Sequence, residues 1–132
     1  MNEIYNELKT LLEKSYSPYS KFKVASIVLD KGGKKFKGVN VENAAYPSGI
    51  CAERSALFGA ISHGFKPGSI DKIYIFSSSN EPIAPCLGCR QVMTELMDEN
   101  ALVILISNDG KKIVERKLEE FCPYPVKAKD IK

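Results

Sequence analysis

Residues 72–107 have the sequence KIYIFSSSNEPIAPCLGCRQVMTELMDENALVILIS, and their pattern predicts the fold class. Short runs rich in branched and apolar residues at 72–77 and 102–107 predict two strands. Between them, apolar residues at helical spacing predict a helix from position 85, where a proline stands at the start, to about position 100. A strand, a helix and a strand in succession imply a crossover connection between neighbouring strands of one sheet.

The residues on either side of this stretch supply the other elements of a mixed sheet that is covered on both faces. We expect a three-layer α/β/α sandwich with five strands, built as a single domain over residues 1–132. The predicted order is α-β-β-α-β-α-β-β-α. The flanking elements are a helix over 3–15, strands over 24–29 and 35–41, a helix over 51–63, a strand over 112–114 and a helix over 118–121.

The composition limits the class of protein. Hydrophobic residues make up 44% of the 132 residues and charged residues 27%, which is typical of a globular chain and excludes disorder. The formal net charge is +3 with scattered lysines, too mild to indicate nucleic-acid binding. No apolar run reaches the ~18 residues of a membrane span, and the polar start shows no signal-peptide pattern. We expect a soluble cytoplasmic protein.

The four cysteines, Cys51, Cys86, Cys89 and Cys122, are the most informative residues. In the reducing compartment expected here, the Cys86-x-x-Cys89 pair is either a redox site or a metal site. A redox pair usually follows the first strand of a βαβ unit, and it would leave Cys51 unexplained. Three ordinary buried cysteines are a further alternative.

Two motifs favour the metal site. CAER at 51–54 and PCLGCR at 85–90 both fall at predicted helix starts that follow loops. In an open α/β sheet, such sites gather beyond the strand ends. Three thiolates there would supply three tetrahedral ligands for Zn²⁺ and leave the fourth position open, which is typical of a catalytic site. The other candidate ligands, Cys122 and His63, have no motif spacing.

The charged residues of these motifs suggest supporting roles. A site of three thiolates is negatively charged, and helix N-termini withdraw charge from sulfur. Arg54 or Arg90 could also donate to a thiolate, and Arg54 is the preferred candidate. Glu53, two residues after Cys51, could accept a proton from water at the open position and pass it on. The alternative for Glu53 is a solvated carboxylate that the helix dipole favours.

Together the motifs strongly resemble those of the zinc-dependent cytidine deaminases. The resemblance covers most of residues 1–125, and within the family this sequence is similar to the short enzymes that act on free nucleosides. It implies hydrolytic deamination of cytidine and deoxycytidine to uridine and deoxyuridine with release of ammonia, as part of pyrimidine salvage. The segments that carry it are SKF at 20–22, GVNVENAAY at 38–46, CAERSAL at 51–57 and PCLGCRQVM at 85–93.

The resemblance implies a role for each matching residue of the metal site. One Zn²⁺ would be held by Cys51, Cys86 and Cys89. Glu53 would carry a proton from the attacking water to ring N3 and then help move a proton to the departing amine. Arg54 would hydrogen-bond the zinc thiolates.

Four further residues match the family's substrate contacts. Asn40 and Glu42 would hold the ribose hydroxyls, and an amide beside a carboxylate suits a diol. The backbone N–H of Ala52 would contact the base carbonyl. Phe22 matches an aromatic that lies near the pyrimidine.

The resemblance also implies an assembly. Short members of the family are usually homotetramers with sites completed across interfaces, with one zinc per chain. The expected substrate is therefore a small nucleoside, and the expected protein partners are further copies of the chain. Binding to nucleic acid or to a membrane is not expected. The family's C-terminal Pro-Gly-Ala-Phe, whose aromatic reaches a neighbouring site, has its nearest match here in PYPV at 123–126, so Phe121 and Tyr124 are both candidates for that aromatic.

Two other functions remain open at this point. Deaminases of cytosine-containing aminonucleoside antibiotics, of the blasticidin S type, share Cys-Ala-Glu and Pro-Cys-x-x-Cys-Arg-Gln but lack a close match to ENAAY at 42–46. A non-catalytic zinc-binding module would keep the three cysteines and would need neither Glu53 nor an open position.

Overall fold

Residues 1–131 are described by the computed structural model, and Lys132, the last residue of the expected domain, lies outside the described residues. The predicted order of helices and strands is confirmed. The elements are α1 (Asn2–Leu12), β1 (Val24–Asp30), β2 (Lys35–Val39), α2 (Ala52–Ser62), β3 (Ile70–Ser77), α3 (Leu87–Leu96), β4 (Met97–Ile106), β5 (Ile113–Lys117) and α4 (Leu118–Phe121), with 3₁₀ turns at Tyr46–Ser48 and Ala128–Ile131.

The five strands form one mixed sheet in the order β2-β1-β3-β4-β5. β1 runs antiparallel to both β2 and β3, and β5 runs antiparallel to β4. β3 and β4 are parallel and are connected through α3, which is the crossover that residues 72–107 predict. The predicted mixed five-stranded sheet is therefore confirmed.

Alternating side chains of the central strands divide the core into two layers, because successive residues of a strand point to opposite faces. Ala25, Ile27, Tyr74 and Phe76 pack with Leu8 and other residues of α1 on one face. The opposite face carries the residues that alternate with these and packs against the other helices. Its buried members include Val24, Val28, Ile73, Ile75, Val103 and Leu105 from the strands, with Ala56, Leu57, Met93 and Leu118 from α2, α3 and α4.

The boundary between α3 and β4 differs from the prediction. The helix was expected to continue to about position 100, but it ends at Leu96 and β4 begins at Met97. Met97 pairs with Ile70 of β3, and the register shifts before Lys72 pairs with Leu102. This strand pairing, which the local sequence pattern does not contain, ends the helix early.

Other boundaries also shift by a few residues. α1 ends at Leu12 instead of residue 15, and β5 extends to Lys117 instead of residue 114. β2 ends at Val39, while Val41 forms isolated bridges to Tyr16 and Ile50.

The strand register brings two loops to one end of the sheet. Val24, at the start of β1, pairs with Ser77, the last residue of β3. The next residue, Ala25, pairs with Val39 at the end of β2. The loop that leads from β2 to α2 and the loop that leads from β3 to α3 therefore leave the same end of the sheet, on either side of β1.

The helices within residues 1–131 are all short. The longest, α1 and α2, have 11 residues each, whereas a bilayer span requires about 20, so none of them is able to cross a membrane.

Candidate active site

Three of the cysteines meet where α2 and α3 begin. Cys51 is the N-cap residue of α2, Cys86 is the N-cap residue of α3, and Cys89 lies in the first turn of α3. The Sγ atoms of Cys51 and Cys86 are 3.7 Å apart, and those of Cys86 and Cys89 are 3.4 Å apart. All three Sγ atoms lie within 4.8 Å of one another.

This spacing fits a zinc ion. With Zn–S bonds of about 2.3 Å, two sulfurs at the corners of a tetrahedral site are separated by roughly 3.8 Å. The Cys51–Cys86 and Cys86–Cys89 pairs are already near that separation, and thiolates are preferred zinc ligands.

Neither of the other two candidate ligands from the sequence, Cys122 and His63, joins the cluster within residues 1–131. Within residues 1–131, the metal-ligating group comprises Cys51, Cys86 and Cys89 and includes neither Cys122 nor His63. His63 follows the end of α2, where its Nδ1 lies 3.0 Å from the carbonyl oxygen of Gly59.

Of the two candidate arginines, Arg54 contacts the sulfurs. Its Nη2 donates to Sγ of Cys51 at 3.4 Å. The hydrogen bonds to Cys51 and then Cys89 raise the pKa of Arg54, so the guanidinium remains charged beside the cluster. Arg90 points away, since its Nε donates to the carbonyl oxygen of Pro85 at 2.8 Å.

The cluster also shifts the pKa values of two of its thiols, Cys51 and Cys89. A hydrogen bond from Cys89, together with the bond from Arg54, lowers the pKa of Cys51 well below its ordinary value. The same hydrogen bond and burial raise the pKa of Cys89. A thiolate therefore forms readily at Cys51, and charge on Cys89 requires a cation nearby.

Glu53 is a buried carboxyl group beside this cluster. It lies in the first turn of α2 and is only 5% exposed. Burial raises the pKa of Glu53 to about 7, and the charge on Cys51 acts in the same direction. A carboxyl group with such a pKa can both accept and donate a proton near neutral pH.

A cavity of about 660 Å³ opens onto the cluster. Glu53 and Ala52 line it, and so do Asn40 and Glu42, which follow β2. Phe22 is not among the lining residues, and its side chain is 37% exposed. The structure therefore brings together all the expected substrate contacts except the Phe22 ring.

Asn40 is held by hydrogen bonds on both sides of its amide. Its Nδ2 donates to the carbonyl oxygen of Phe22 at 2.8 Å. Its Oδ1 accepts from the backbone N–H of Val24 at 2.9 Å and from the hydroxyl of Ser15. The amide thus connects the end of β2 to the segment that precedes β1.

Glu42 binds that same segment. Its Oε1 accepts from the backbone N–H groups of Tyr19 and Ser20, each at 3.1 Å, and its Oε2 accepts from the Ser20 hydroxyl. Sequence reasoning missed Ser15 and Ser20 as partners of these two side chains. Ser20 could have been found because it lies in the SKF segment at 20–22, which resembles the family. Ser15 lies outside every such segment, so no sequence signal indicated it.

Residues 2–105 match the family model of the cytidine and deoxycytidylate deaminase zinc-binding region. The chain belongs to this deaminase family. It is 39% identical over 119 residues to a cytidine deaminase of Halalkalibacterium halodurans, covering 90% of this chain and 88% of the relative. It is 33% identical over 131 residues to a cytidine deaminase of Sporosarcina psychrophila, covering 99% and 94% of the two chains.

A solved deaminase structure has the same fold. The crystal structure of cytidine deaminase from Burkholderia pseudomallei superposes with a TM-score of 0.88 at 38% identity, covering 95% of this chain and 98% of that one. The predicted family and fold class are confirmed. In a zinc-binding deaminase family, the three-cysteine cluster is consistent with one zinc ion per chain, and the chain is an enzyme of the deaminase class.

Proposed function

We propose that this enzyme deaminates cytidine and deoxycytidine by hydrolysis, giving uridine and deoxyuridine and releasing ammonia. The observation that carries the proposal is a buried carboxyl group, Glu53, placed beside three clustered thiols in one cavity. A non-catalytic zinc module has no use for such a carboxyl group, because burying it costs free energy. The relatives named cytidine deaminase over most of the chain also support the proposal.

In this proposal Cys51, Cys86 and Cys89 hold the zinc ion, and Arg54 offsets the charge of their sulfurs. When bound, zinc supplies activation of a water molecule at neutral pH. Glu53 accepts the proton of the attacking water and delivers it to ring N3. Glu53 then assists proton transfer to the amino group at C4, so that the leaving group is ammonia.

The substrate contacts follow from the lining of the cavity. Ala52 opens α2, and the first N–H groups of a helix have no partner within it, so its N–H is able to bind the base carbonyl. Asn40 and Glu42 line the same cavity, and in this proposal they contact the ribose. In this proposal Phe22 is the aromatic residue near the pyrimidine, although it does not line the cavity.

The direct test is turnover by zinc-loaded protein. Cytidine and deoxycytidine should each lose ultraviolet absorbance and release one ammonia per uridine formed, whereas adenosine, which has an amino group on a larger ring, should not react. No turnover of either cytosine nucleoside would overturn the proposal. Turnover of blasticidin S without turnover of cytidine would favour the antibiotic deaminase, an alternative that the named relatives do not favour.

We further propose that the enzyme is a homotetramer whose sites are completed across interfaces. Phe121 packs against the core and lies under the guanidinium of Arg90, 5.2 Å from its ring centroid. Tyr124 is 98% exposed, and the tail beside it is held by Gln91, which pairs with the backbone of Val126. Tyr124 is therefore the better candidate to reach a neighbouring chain.

Light scattering should give four times the chain mass, and a monomer at working concentration would contradict the assembly. In the same proposal residues 1–132 act as a single catalytic domain in the cytoplasm, in pyrimidine salvage.

A further inference from the structure

The hydrogen bonds of Asn40 and Glu42 limit what this pair is able to offer a ligand. Oδ1 of Asn40 already accepts two hydrogen bonds, and one of the two Nδ2 protons is donated to Phe22. Oε1 of Glu42 accepts two, and Oε2 accepts one. Among residues 1–131, the pair is therefore left with one N–H donor on Asn40 and one acceptor position on Oε2 of Glu42.

One donor beside one acceptor is the complement of a single hydroxyl group. Such a hydroxyl donates to Oε2 of Glu42 and accepts from Nδ2 of Asn40. This differs from the expectation that the two side chains bind both hydroxyls of a diol.

Ser20 determines where the remaining acceptor position points. Its Oγ accepts the backbone N–H of Phe22 at 3.0 Å, so the hydroxyl proton is directed towards Oε2 of Glu42. The backbone N–H groups of Tyr19 and Ser20 hold only the other oxygen, Oε1. Without the hydroxyl, Oε2 would lose the one contact that fixes it among the described residues.

The same hydrogen bond favours the ionised form of the Glu42 carboxylate. The hydrogen bond from the Ser20 hydroxyl is the largest cause that holds the pKa of Glu42 below its ordinary value, and the nearby charge of Lys21 adds to it. An ionised carboxylate only accepts hydrogen bonds, so the ligand group opposite it has to be a donor.

We infer that Ser20 is a positioning residue for sugar recognition, whose hydroxyl orients Glu42 to accept a hydrogen bond from one sugar hydroxyl of the substrate. The inference rests on the proposed function, because that function assigns Glu42 to the sugar. Ser20 does not touch the reacting atoms, so its contribution belongs to substrate binding and leaves the chemical step unchanged.

The test is steady-state kinetics of Ser20→Ala with two substrates, cytidine and 2′,3′-dideoxycytidine, which lacks both hydroxyls in question. We expect KM for cytidine to rise about tenfold while kcat stays within about twofold, as for a lost hydrogen bond to a charged group. KM for dideoxycytidine should not change. Ser20→Thr, which keeps a hydroxyl, should restore most of the affinity for cytidine.

Ser78→Ala is the matched control. The Ser78 hydroxyl accepts the N–H of Lys23 and thus fixes the same segment without contacting Glu42, so this variant should leave both KM values unchanged. Every variant should remain folded at the assay temperature and should keep the zinc content of the wild type.

The outcomes separate the two proposals. If the wild type turns over cytidine but Ser20→Ala leaves its KM unchanged, or raises KM equally for both substrates, the role of Ser20 is overturned and the proposed function stands. A Ser20→Ala chain that fails to fold would show that the hydroxyl serves the fold, which also overturns it. If the wild type turns over no cytosine nucleoside, both proposals fall.

Discussion

Gly38 of β2 and Ala56 of α2 are in direct backbone contact. A Cβ added at Gly38 would lie 2.4 Å from the backbone nitrogen of Ala56 and 2.8 Å from the carbonyl oxygen of Ala52. No side chain can be accommodated at those distances, so only glycine lets the hairpin and the helix approach so closely. The contact fixes the position of the first two turns of α2, which follow the N-cap residue Cys51 and carry Glu53.

Gly38→Ala should therefore destabilise the protein. The neighbouring atoms belong to the backbone of a helix and cannot move as a flexible side chain would, so we expect a loss of about 1–3 kcal/mol in the free energy of unfolding. Urea or thermal unfolding measures this. Gly32→Ala is the control, because a Cβ there would meet Oδ1 of Asp30 at an ordinary 3.4 Å. Equal stability of the two variants would show that β2 and α2 are not packed as described.

Cys89→Ala should lose bound zinc along with activity. Cys89 is fully buried in the cluster, and two remaining thiolates make an incomplete site. Metal analysis of the purified protein measures the zinc content. Cys122→Ala removes a cysteine outside the cluster and should keep one zinc per chain. Stoichiometric zinc in Cys89→Ala would contradict the ligand assignment.

Removal of the metal should lower thermal stability. A ligand that binds only the folded state adds about 2.7 kcal/mol at a concentration 100-fold above its Kd, which corresponds to roughly 5–10 °C in Tm for a chain of this size. Differential scanning calorimetry before and after treatment with a strong chelator gives the shift, and re-added zinc should reverse it. An unchanged Tm would mean that the three thiols do not hold a metal in the folded protein.

Arg54→Ala should lower either zinc affinity or kcat by about 10- to 100-fold, the usual cost of losing a hydrogen bond to a metal ligand. The cause is the lost donor to Sγ of Cys51. Arg90→Ala tests the second arginine that follows the motifs, and it should affect stability alone because Arg90 bonds to the carbonyl oxygens of Pro85 and Phe121. If both variants lose zinc and activity to the same extent, the hydrogen bond from Arg54 to the Cys51 sulfur does not account for the loss.

Much of the fold could be predicted from local pattern. The strands at 72–77 and 102–107 and the helix between them produce the β3-α3-β4 crossover, because alternation and helical spacing are properties of neighbouring residues. The convergence of Cys51, Cys86 and Cys89 was also predictable, since both motifs start helices that follow loops at one end of the sheet.

What could not be predicted depends on partners that are distant in the sequence. The end of α3 at Leu96 is set by the pairing of Met97 with Ile70 in another strand. Likewise, Glu42 was assigned to the substrate, and its hydrogen bonds to Ser20, 22 positions away, were not foreseen. The preference for Tyr124 over Phe121 in the proposed assembly also depends on packing, because Phe121 is partly buried against the core and Tyr124 is exposed.

In the proposed mechanism, Glu53 moves protons during deamination at a zinc site. The most direct measurement is the rate of cytidine deamination by zinc-loaded Glu53→Gln beside the wild type, with zinc content and melting temperature measured on the same samples. The glutamine keeps the size of the side chain but cannot accept and return a proton, so the rate should fall by about 10²- to 10⁴-fold while one zinc per chain is retained. A Glu53→Gln enzyme with wild-type turnover would show that Glu53 does not carry the proton.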